Sequence, residues 1–201
     1  MSRPMEWTAA ILAGGAARRF GGRDKSALLV DGRPILDRQL DVLVALTDDV
    51  LVIGAARDGA AGRVRVVPDR VPGCGPLGGL HTALLESRRD ATLLVACDMP
   101  YLCAPLLRHL LACAASADVV VPRTSRGYHP LCAVYTRACL EQVTRRLADG
   151  RLTMIDLFED VRVHVVTPET LERFGDPDRL LFNVNTPEDY RDVEALQGHQ
   201  P

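Results

Sequence analysis

The sequence has few aromatic residues and no long hydrophobic run. Phe, Trp and Tyr make up 4% of the 201 residues, and the charges sum to a formal net charge of −2. A nucleic-acid-binding surface needs a basic face and stacking rings, so this composition argues against that class. No apolar run approaches the roughly 18–20 residues that a membrane-spanning helix needs. The first six residues lack a signal-peptide layout. We therefore expect a cytoplasmic protein that binds neither nucleic acid nor a membrane.

The sequence also lacks any Cys-x-x-Cys pair. Several of its six cysteines lie inside apolar runs, such as 93–97 and 131–135. Zinc sites and disulfide frameworks require closer, patterned spacing. We therefore interpret the cysteines as buried, reduced thiols that pack as small hydrophobic side chains.

Lysine is nearly absent. Of the 24 lysine and arginine residues, 23 are arginine and one, Lys25, is lysine. A lysine ammonium is a compact point charge, whereas the arginine guanidinium is planar. Position 25 therefore indicates a site that requires the compact charge.

The remaining composition is that of one globular α/β domain spanning 1–201. Hydrophobic residues make up 47% of the chain and charged residues 25%, which suffices for a sizeable core. Strands are predicted at 8–13, 49–54, 63–67, 91–97, 117–121, 131–136 and 161–166. Helices are predicted at 34–46, 77–87, 104–115, 138–148, briefly near 153–158, and after Pro187 with Thr186 as cap. Apolar strands alternating with helices indicate a mainly parallel sheet, whose ligand site lies beyond the carboxyl ends of its strands.

The loop after the first predicted strand is rich in glycine, at 14–22, and leads to Lys25. Free backbone amides in such a loop bind anions. Arg18, Arg19 and Lys25 add the positive charge that a polyphosphate requires. Neither a Walker A motif nor the dinucleotide-binding fingerprint fits the spacing. An ordinary glycine-rich turn with surface arginines is the alternative.

Two further loops carry groups suited to a nucleotide. The strand at 91–97 leads into Asp98, and a carboxylate facing a triphosphate requires a divalent cation such as Mg²⁺ between them. A turn or cap role before Pro100 is the alternative. The segment 67–80 is a second glycine-rich loop that opens a helix and adds more free amides; it could equally be a connection shaped by Pro and Gly.

Two polar motifs remain. His129 precedes Pro130 at the start of a predicted strand, and Asn183 and Asn185 flank Val184 near the end of the chain. A structural histidine and turn-forming asparagines are the alternatives to a binding role.

Taken in order, these segments resemble the molybdenum cofactor guanylyltransferases, a MobA-like nucleotidyltransferase family. The matching motifs are Leu-Ala-Gly-Gly-x-x-x-Arg-Phe-Gly-Gly-x-Asp-Lys at 12–25, Gly-Pro-Leu-Gly-Gly-Leu at 75–80, Cys-Asp-Met-Pro at 97–100, His-Pro at 129–130 with Ala-Val-Tyr at 133–135, and Asn-Val-Asn-Thr-Pro-Glu-Asp at 183–189. The resemblance implies a Rossmann-like, three-layer α/β/α fold. It also implies transfer of GMP from MgGTP to molybdopterin, which forms the guanine dinucleotide cofactor and releases pyrophosphate. GTP and molybdopterin would be the substrates, Mg²⁺ the cofactor, and molybdoenzyme chaperones or cofactor carriers further partners.

The resemblance implies a role for each matching residue. Nucleotide-binding residues would be Leu12, Ala13, Gly14, Gly15, Lys25, Asp69, Gly78 and Asp98. Catalytic residues would be Arg19, Lys25 and Asp98, with Asp98 also the ligand of Mg²⁺. Residues on the pterin side would be His129, Asn183 and Asn185.

The chain departs from the family pattern at two positions. The strand at 50–54 carries no Asn where the family often has one for the base and ribose, which leaves guanine selectivity open. Gly78 replaces the usual Ala, which we expect to make its loop more permissive. Three alternatives stay open: a transferase that uses CTP, one with another phosphorylated acceptor such as phospholactate, and a non-catalytic GTP-binding module. The chain length disfavours nucleotide-sugar synthesis.

Overall fold

The fold comes from a computed structural model, and the residues described are 6–13, 28–54, 64–184, 186 and 189–190. The strands are β1 (Trp7–Leu12), β2 (Leu29–Val30), β3 (Arg33–Pro34), β4 (Val50–Ile53), β5 (Arg65–Val67), β6 (Ala91–Ala96), β7 (Val119–Thr124), β8 (Gly127–Tyr128), β9 (Cys132–Thr136) and β10 (Val163–Val166). The helices are α1 (Ile35–Val44), α2 (Gly75–Glu86), α3 (Ala104–Cys113), α4 (Cys139–Ala148), α5 (Pro168–Leu171) and α6 (Pro177–Leu180). Short 3₁₀ turns lie at Ala114–Ser116, Ile155–Glu159 and Glu172–Phe174.

Eight of these strands form one mixed sheet that is mainly parallel, as predicted. Its order is β10-β7-β9-β6-β1-β4-β5, and β8 pairs with β7. Strand β9 runs antiparallel to both of its neighbours, whereas the other neighbours in this order pair in parallel. Only residues 125–131 separate β7 from β9. A parallel return needs a crossover of a dozen or more residues, so this short connection reverses the strand.

Helices cover both faces of the sheet. Alternate side chains of β1 point to opposite faces, so Ile11 lies in one apolar cluster and Leu12 in the other. The first cluster contains Leu36 of α1 and Leu106 of α3. The second contains residues of α2 and α4, such as Leu80. All six residues of β6 are buried, and all but Thr92 are apolar, as expected of a strand that is covered on both faces. This is the three-layer α/β/α arrangement that we predicted.

Most predicted elements are present, and those that were missed are short. The predicted helix near 153–158 is a 3₁₀ turn at Ile155–Glu159. The β2–β3 hairpin was not predicted; its turn residues Asp31 and Gly32 have φ values of 53° and 70°, as a two-residue turn requires. Helices α5 and α6 have four residues each, too few to show a helical period. Among the described residues, no helix has the length and apolar character to cross a membrane.

The last predicted helix begins as expected in the residues described there. Thr186 Oγ1 accepts a hydrogen bond from Asp189 N at 3.1 Å, and Thr186 N donates to Asp189 Oδ2 at 2.8 Å. This reciprocal pair is a helix N-terminal cap, so Thr186 is the capping residue. The helix beyond Tyr190 lies outside the described residues.

The six cysteines carry free thiols but differ in burial. Cys132 and Cys139 are buried, and burial raises the pKa of each thiol to about 12. The other four are half-buried, because they lie at the ends of helices and strands. The expectation of buried thiols therefore holds fully for Cys132 and Cys139.

Candidate active site

The carboxyl ends of β1, β4 and β6 form the candidate site. Ala13 N donates a hydrogen bond to Ile53 O at 2.8 Å, and Cys97 N donates to Leu12 O at 3.2 Å. These bonds continue the sheet past the strand ends. They bring the predicted nucleotide-binding residues Leu12 and Ala13 next to the loop that carries Asp98.

Asp69 lies in the loop between β5 and α2, where it holds the loop in place. Its Oδ1 accepts hydrogen bonds from Val71 N at 3.0 Å and from Thr82 Oγ1 at 3.1 Å. The loop that follows β5 is therefore tied to the middle of α2. The same loop leads into the amino end of α2, and the free amides of a helix N-terminus favour an anion.

Gly78 is required by space, which corrects our expectation that it makes the loop more permissive. A Cβ at position 78 would lie 2.7 Å from Val71 O and 3.7 Å from Asp69 Oδ1. The first distance is shorter than real Cβ contacts, and the obstacle is backbone. A Cβ at Gly79 would lie 2.8 Å from Leu12 Cδ2. The two glycines therefore let α2 pack closely against the Asp69 loop and the end of β1.

Asp98 follows β6 at the same edge and is 9% exposed. Its backbone oxygen accepts a hydrogen bond from Val184 N at 2.9 Å. This bond brings Asn183 to Asp98, although 85 positions separate them in the sequence. Asn183 Oδ1 is buried without a hydrogen-bond partner in the part of the chain that the structure describes. The segment that ends in Asn183 and Val184 is thus held against the Asp98 loop.

A magnesium ion bound to a nucleotide fits the donors at Asp98. Within the described ranges, no group of three or more His, Cys, Asp or Glu side chains could hold a metal ion. Mg²⁺ is usually bound through one or two carboxylates together with substrate phosphates and waters, rather than in an all-protein cage. A single carboxylate at the carboxyl end of β6 therefore suits a metal that arrives with its nucleotide.

His129 lies on the other side of β6, at the turn that begins β9. Ala96 N donates to Leu131 O at 2.9 Å, so this turn adjoins the end of β6. His129 Nε2 is 2.9 Å from Thr124 Oγ1. Burial lowers the pKa of His129, with a smaller contribution from Arg126, against an opposing one from Asp178. The ring is therefore a neutral hydrogen-bonding group near neutral pH.

Five of the predicted site residues lie outside the described residues: Gly14, Gly15, Arg19, Lys25 and Asn185. The described residues Leu12, Ala13, Asp69, Gly78, Asp98, His129 and Asn183 lie along one edge of the sheet. Ile53, at the position where the family often has Asn, is 2% exposed and packs in an apolar cluster. It offers no hydrogen bond to a base.

Gln39 of α1 also contacts this edge, and the sequence analysis missed it. Its Nε2 donates to Ala96 O at 2.8 Å and to Met99 O at 2.9 Å. Gln39 lies three residues after Leu36 and four before Leu43, on the apolar face of α1. A polar residue on an apolar helical stripe was the signal that could have found it.

Comparisons with known proteins point to one family. The family described as "MobA-like NTP transferase domain" matches residues 9–165. A probable molybdenum cofactor guanylyltransferase from Pelotomaculum thermopropionicum is 37% identical over 186 residues, which cover 92% of this chain and 90% of that protein. A molybdenum cofactor guanylyltransferase from Desulfosudis oleivorans is 36% identical over 191 residues, or 94% of each chain.

A solved structure shares the fold. The crystal structure of molybdopterin-guanine dinucleotide biosynthesis protein A from Archaeoglobus fulgidus superposes with a TM-score of 0.81 at 23% identity, covering 96% of this chain and 100% of that one. At that identity the likeness speaks for the fold alone. The family match over most of the chain and the relatives above 30% identity go further: the chain belongs to the MobA-like NTP transferase family.

Proposed function

We propose that the protein is a molybdenum cofactor guanylyltransferase, which transfers GMP from MgGTP to the terminal phosphate of molybdopterin. One observation carries the proposal: Asp98 lies between the two halves of the site. Cys97 N bonds Leu12 O on the nucleotide side, and Val184 N bonds Asp98 O beside Asn183. A nucleotide and an acceptor bound at these two places would meet at Asp98.

The reaction makes modest demands on acid–base chemistry. A phosphate oxygen of molybdopterin attacks the α-phosphorus of GTP, the bond from that phosphorus to the bridging oxygen breaks, and pyrophosphate leaves. The attacking oxygen is already anionic, so it needs no strong general base. The main tasks of the site are to align two anions and to neutralise their charge.

Charge neutralisation is assigned to groups on the nucleotide side. Lys25 and Arg19 would counter the charge of the pyrophosphate leaving group, and the amides of the loop with Gly14 and Gly15 would cradle the phosphates. Asp98 would hold the Mg²⁺ of MgGTP, and a bound Mg²⁺ offsets phosphate charge and orients the phosphate oxygens. Asp69 and the amino end of α2 would bind the rest of the nucleotide, with Leu12, Ala13 and Gly78 allowing its close approach.

The acceptor side is assigned to His129, Asn183 and Asn185. Neutral His129 can donate or accept a hydrogen bond, depending on its tautomer. Asn183 Oδ1 is a buried acceptor with no hydrogen-bond partner among the described residues. A pterin carries N–H donors, which would bond this oxygen. We assign these residues to binding and orientation of the acceptor, with no proton transfer.

We further propose that residues 1–201 act as one nucleotidyltransferase domain, since eight of the ten described strands, the first and last among them, share one sheet. Molybdoenzyme chaperones or cofactor carriers would receive the product. Guanine selectivity has least support from the residues, because Ile53 is apolar. The test of function therefore includes CTP.

The test measures pyrophosphate release from a mixture of the protein, Mg²⁺, GTP and a molybdopterin-loaded carrier, with CTP in a parallel mixture. We expect release with GTP only. Release with CTP only would move the protein to cytidylyl transfer. Binding of GTP without release in either mixture would make the domain a binding module or one with a different phosphorylated acceptor.

Two matched variants test the role of Asp98. Asp98→Asn removes the carboxylate at the carboxyl end of β6, whereas Asp90→Asn alters an exposed carboxylate just before the amino end of the same strand. We expect Asp98→Asn to abolish release while its melting temperature stays near wild type, and Asp90→Asn to keep both. Near wild-type turnover of Asp98→Asn would overturn the assignment.

A further inference from the structure

Gln39 connects helix α1 to both sides of the Asp98 loop. Its Nε2 donates to the carbonyl oxygens of Ala96, at 2.8 Å, and Met99, at 2.9 Å. These carbonyls flank the two residues Cys97 and Asp98. Because both neighbouring groups are acceptors, the side-chain NH₂ group must face them, which settles the orientation of the amide. The two ends of the short loop are therefore held at one point.

The burial of Gln39 argues against a purely stabilising role. The residue is 1% exposed, and its Oε1 is buried with no hydrogen-bond partner among the described residues. An unpartnered buried acceptor offsets the benefit of the two hydrogen bonds that the amide makes. Met at position 39 would remove that acceptor, but it would also remove the donor that the carbonyl oxygens of Ala96 and Met99 share. The advantage of the amide lies in what it holds in place.

The loop is held from its other side as well. Val184 N donates to Asp98 O at 2.9 Å. Gln39 thus fixes the backbone before and after Asp98, and the closing segment fixes the carbonyl of Asp98 itself. Rotation of the Asp98 peptide would break one of these three bonds.

We propose that Gln39 is a positioning residue: it sets the backbone of the 96–99 loop so that the Asp98 carboxylate meets the divalent cation of the bound nucleotide. This inference rests on the proposed function, in which Asp98 is the metal ligand. Gln39 acts through the loop and does not touch the cation. Groups that orient a metal ligand typically alter metal affinity or activity by 10- to 100-fold when removed.

The test compares Gln39→Met with a control that loses buried hydrogen bonds elsewhere. Met keeps the approximate length and volume of Gln but has no N–H donor. The control is Thr8→Val at the amino end of β1, where Thr8 Oγ1 donates to Asp49 Oδ2 and accepts from Ser87 Oγ. Thr8 is 0% exposed, so both variants disturb fully buried polar groups.

The first measurement is binding of Mn²⁺ in the presence of GTP and without acceptor, followed by electron paramagnetic resonance. We expect Gln39→Met to weaken Mn²⁺ binding by about 10- to 100-fold, and Thr8→Val to leave it unchanged although it lowers the melting temperature. In the transfer assay, the Mg²⁺ concentration for half-maximal rate should rise in Gln39→Met, and excess Mg²⁺ should restore kcat. Unchanged Mn²⁺ affinity in a folded Gln39→Met protein would overturn the inference.

Two further arms keep the test decisive. Asp98→Asn shows whether the metal site is at Asp98: if it binds Mn²⁺ and GTP as wild type does, the proposed metal role fails, and the inference with it. If Asp98→Asn loses Mn²⁺ and Gln39→Met does not, only the inference fails. Should Gln39→Met fold poorly, Gln39→Asn replaces it, because the shorter amide cannot reach both carbonyls; normal Mn²⁺ binding in that variant overturns the inference equally.

Discussion

Replacement of Asp49 should destabilise the protein and leave the candidate site unchanged. Asp49 lies just before β4 at the amino edge of the sheet, opposite the site, and is 4% exposed. It accepts hydrogen bonds from Thr8 Oγ1 at 2.6 Å and from Arg65 Nη2 at 2.7 Å. Ser87 Oγ extends the network by donating to Thr8 Oγ1 at 2.8 Å. One carboxylate therefore joins the starts of β1, β4 and β5 to the end of α2.

The size of the expected destabilisation follows from the negative charge of the Asp49 carboxylate. Asp49→Asn keeps the shape and one oxygen but removes the negative charge that Arg65 faces. Hydrogen bonds to charged groups contribute about 1.5–3 kcal/mol. For a chain of 201 residues, each kcal/mol moves the melting temperature by about 2–4 °C. We therefore expect Asp49→Asn to melt about 3–12 °C below wild type.

The loss of stability caused by Asp49→Asn should depend on pH. Burial would by itself raise the pKa of Asp49, but the hydrogen bonds from Thr8 and Arg65 and the charge of Arg65 outweigh it and hold the pKa below its ordinary value. The folded pKa is thus lower than the unfolded one, so the carboxylate stabilises the fold above about pH 4. This contribution is lost as the pH falls through the folded pKa. The gap between wild type and Asp49→Asn should therefore narrow in acid.

Thermal melts followed by circular dichroism, at about pH 7 and about pH 3, test the prediction. The control is Asp48→Asn: Asp48 has an 82% exposed side chain and lies 3.3 Å from Arg89, and exposed pairs of this kind contribute little. Nucleotide transfer measured well below the melting temperature should be normal in both variants. The reasoning is refuted if Asp49→Asn melts no lower than Asp48→Asn near neutral pH, or if its deficit grows in acid.

Three further predictions rest on other contacts. Gly78→Ala should lower the free energy of unfolding, measured by urea denaturation, by up to about 2 kcal/mol, because the contact of the new Cβ with Val71 O outweighs the gain in helix propensity. A variant more stable than wild type would contradict this close contact. Arg146→Met should destabilise the folded protein by about 1.5–3 kcal/mol, because the Arg146 side chain is 1% exposed and its Nε donates to Asp160 Oδ2 at 2.6 Å. If urea denaturation gave the variant the stability of wild type, the ion pair would contribute nothing. The pKa of His129 is lower in the folded protein than in the unfolded chain, so on acidification the unfolded chain binds this proton first and stability should fall as the pH drops below about 6.5. His129→Asn should flatten this dependence of the melting temperature on pH. An unchanged slope would contradict the lowered pKa of His129.

The sequence by itself determined the layer structure and the edge that carries the site. The runs at β1, β4 and β6 are mainly apolar at successive positions, as strands buried on both faces are, and α1 shows a helical period with one apolar face. Parallel strands joined by helices have their carboxyl ends at one edge, so the loops after β1 and β6 lie at the same edge of the sheet. The sequence therefore placed Leu12 and Asp98 at that edge. The family, too, could be named from five motifs in order.

Only the tertiary structure decided the place of β9 between β6 and β7, the need for Gly78 and the contact of Gln39. The short 125–131 connection reverses β9, but no residue pattern marks the two strands with which β9 pairs. The reason for Gly78 is the position of Val71 O, a backbone atom whose location depends on the whole loop. Gln39 is polar on an apolar face, but its partners lie 57 and 60 residues away. Local pattern predicts which elements form, whereas the contacts between distant segments exist only once those elements pack together.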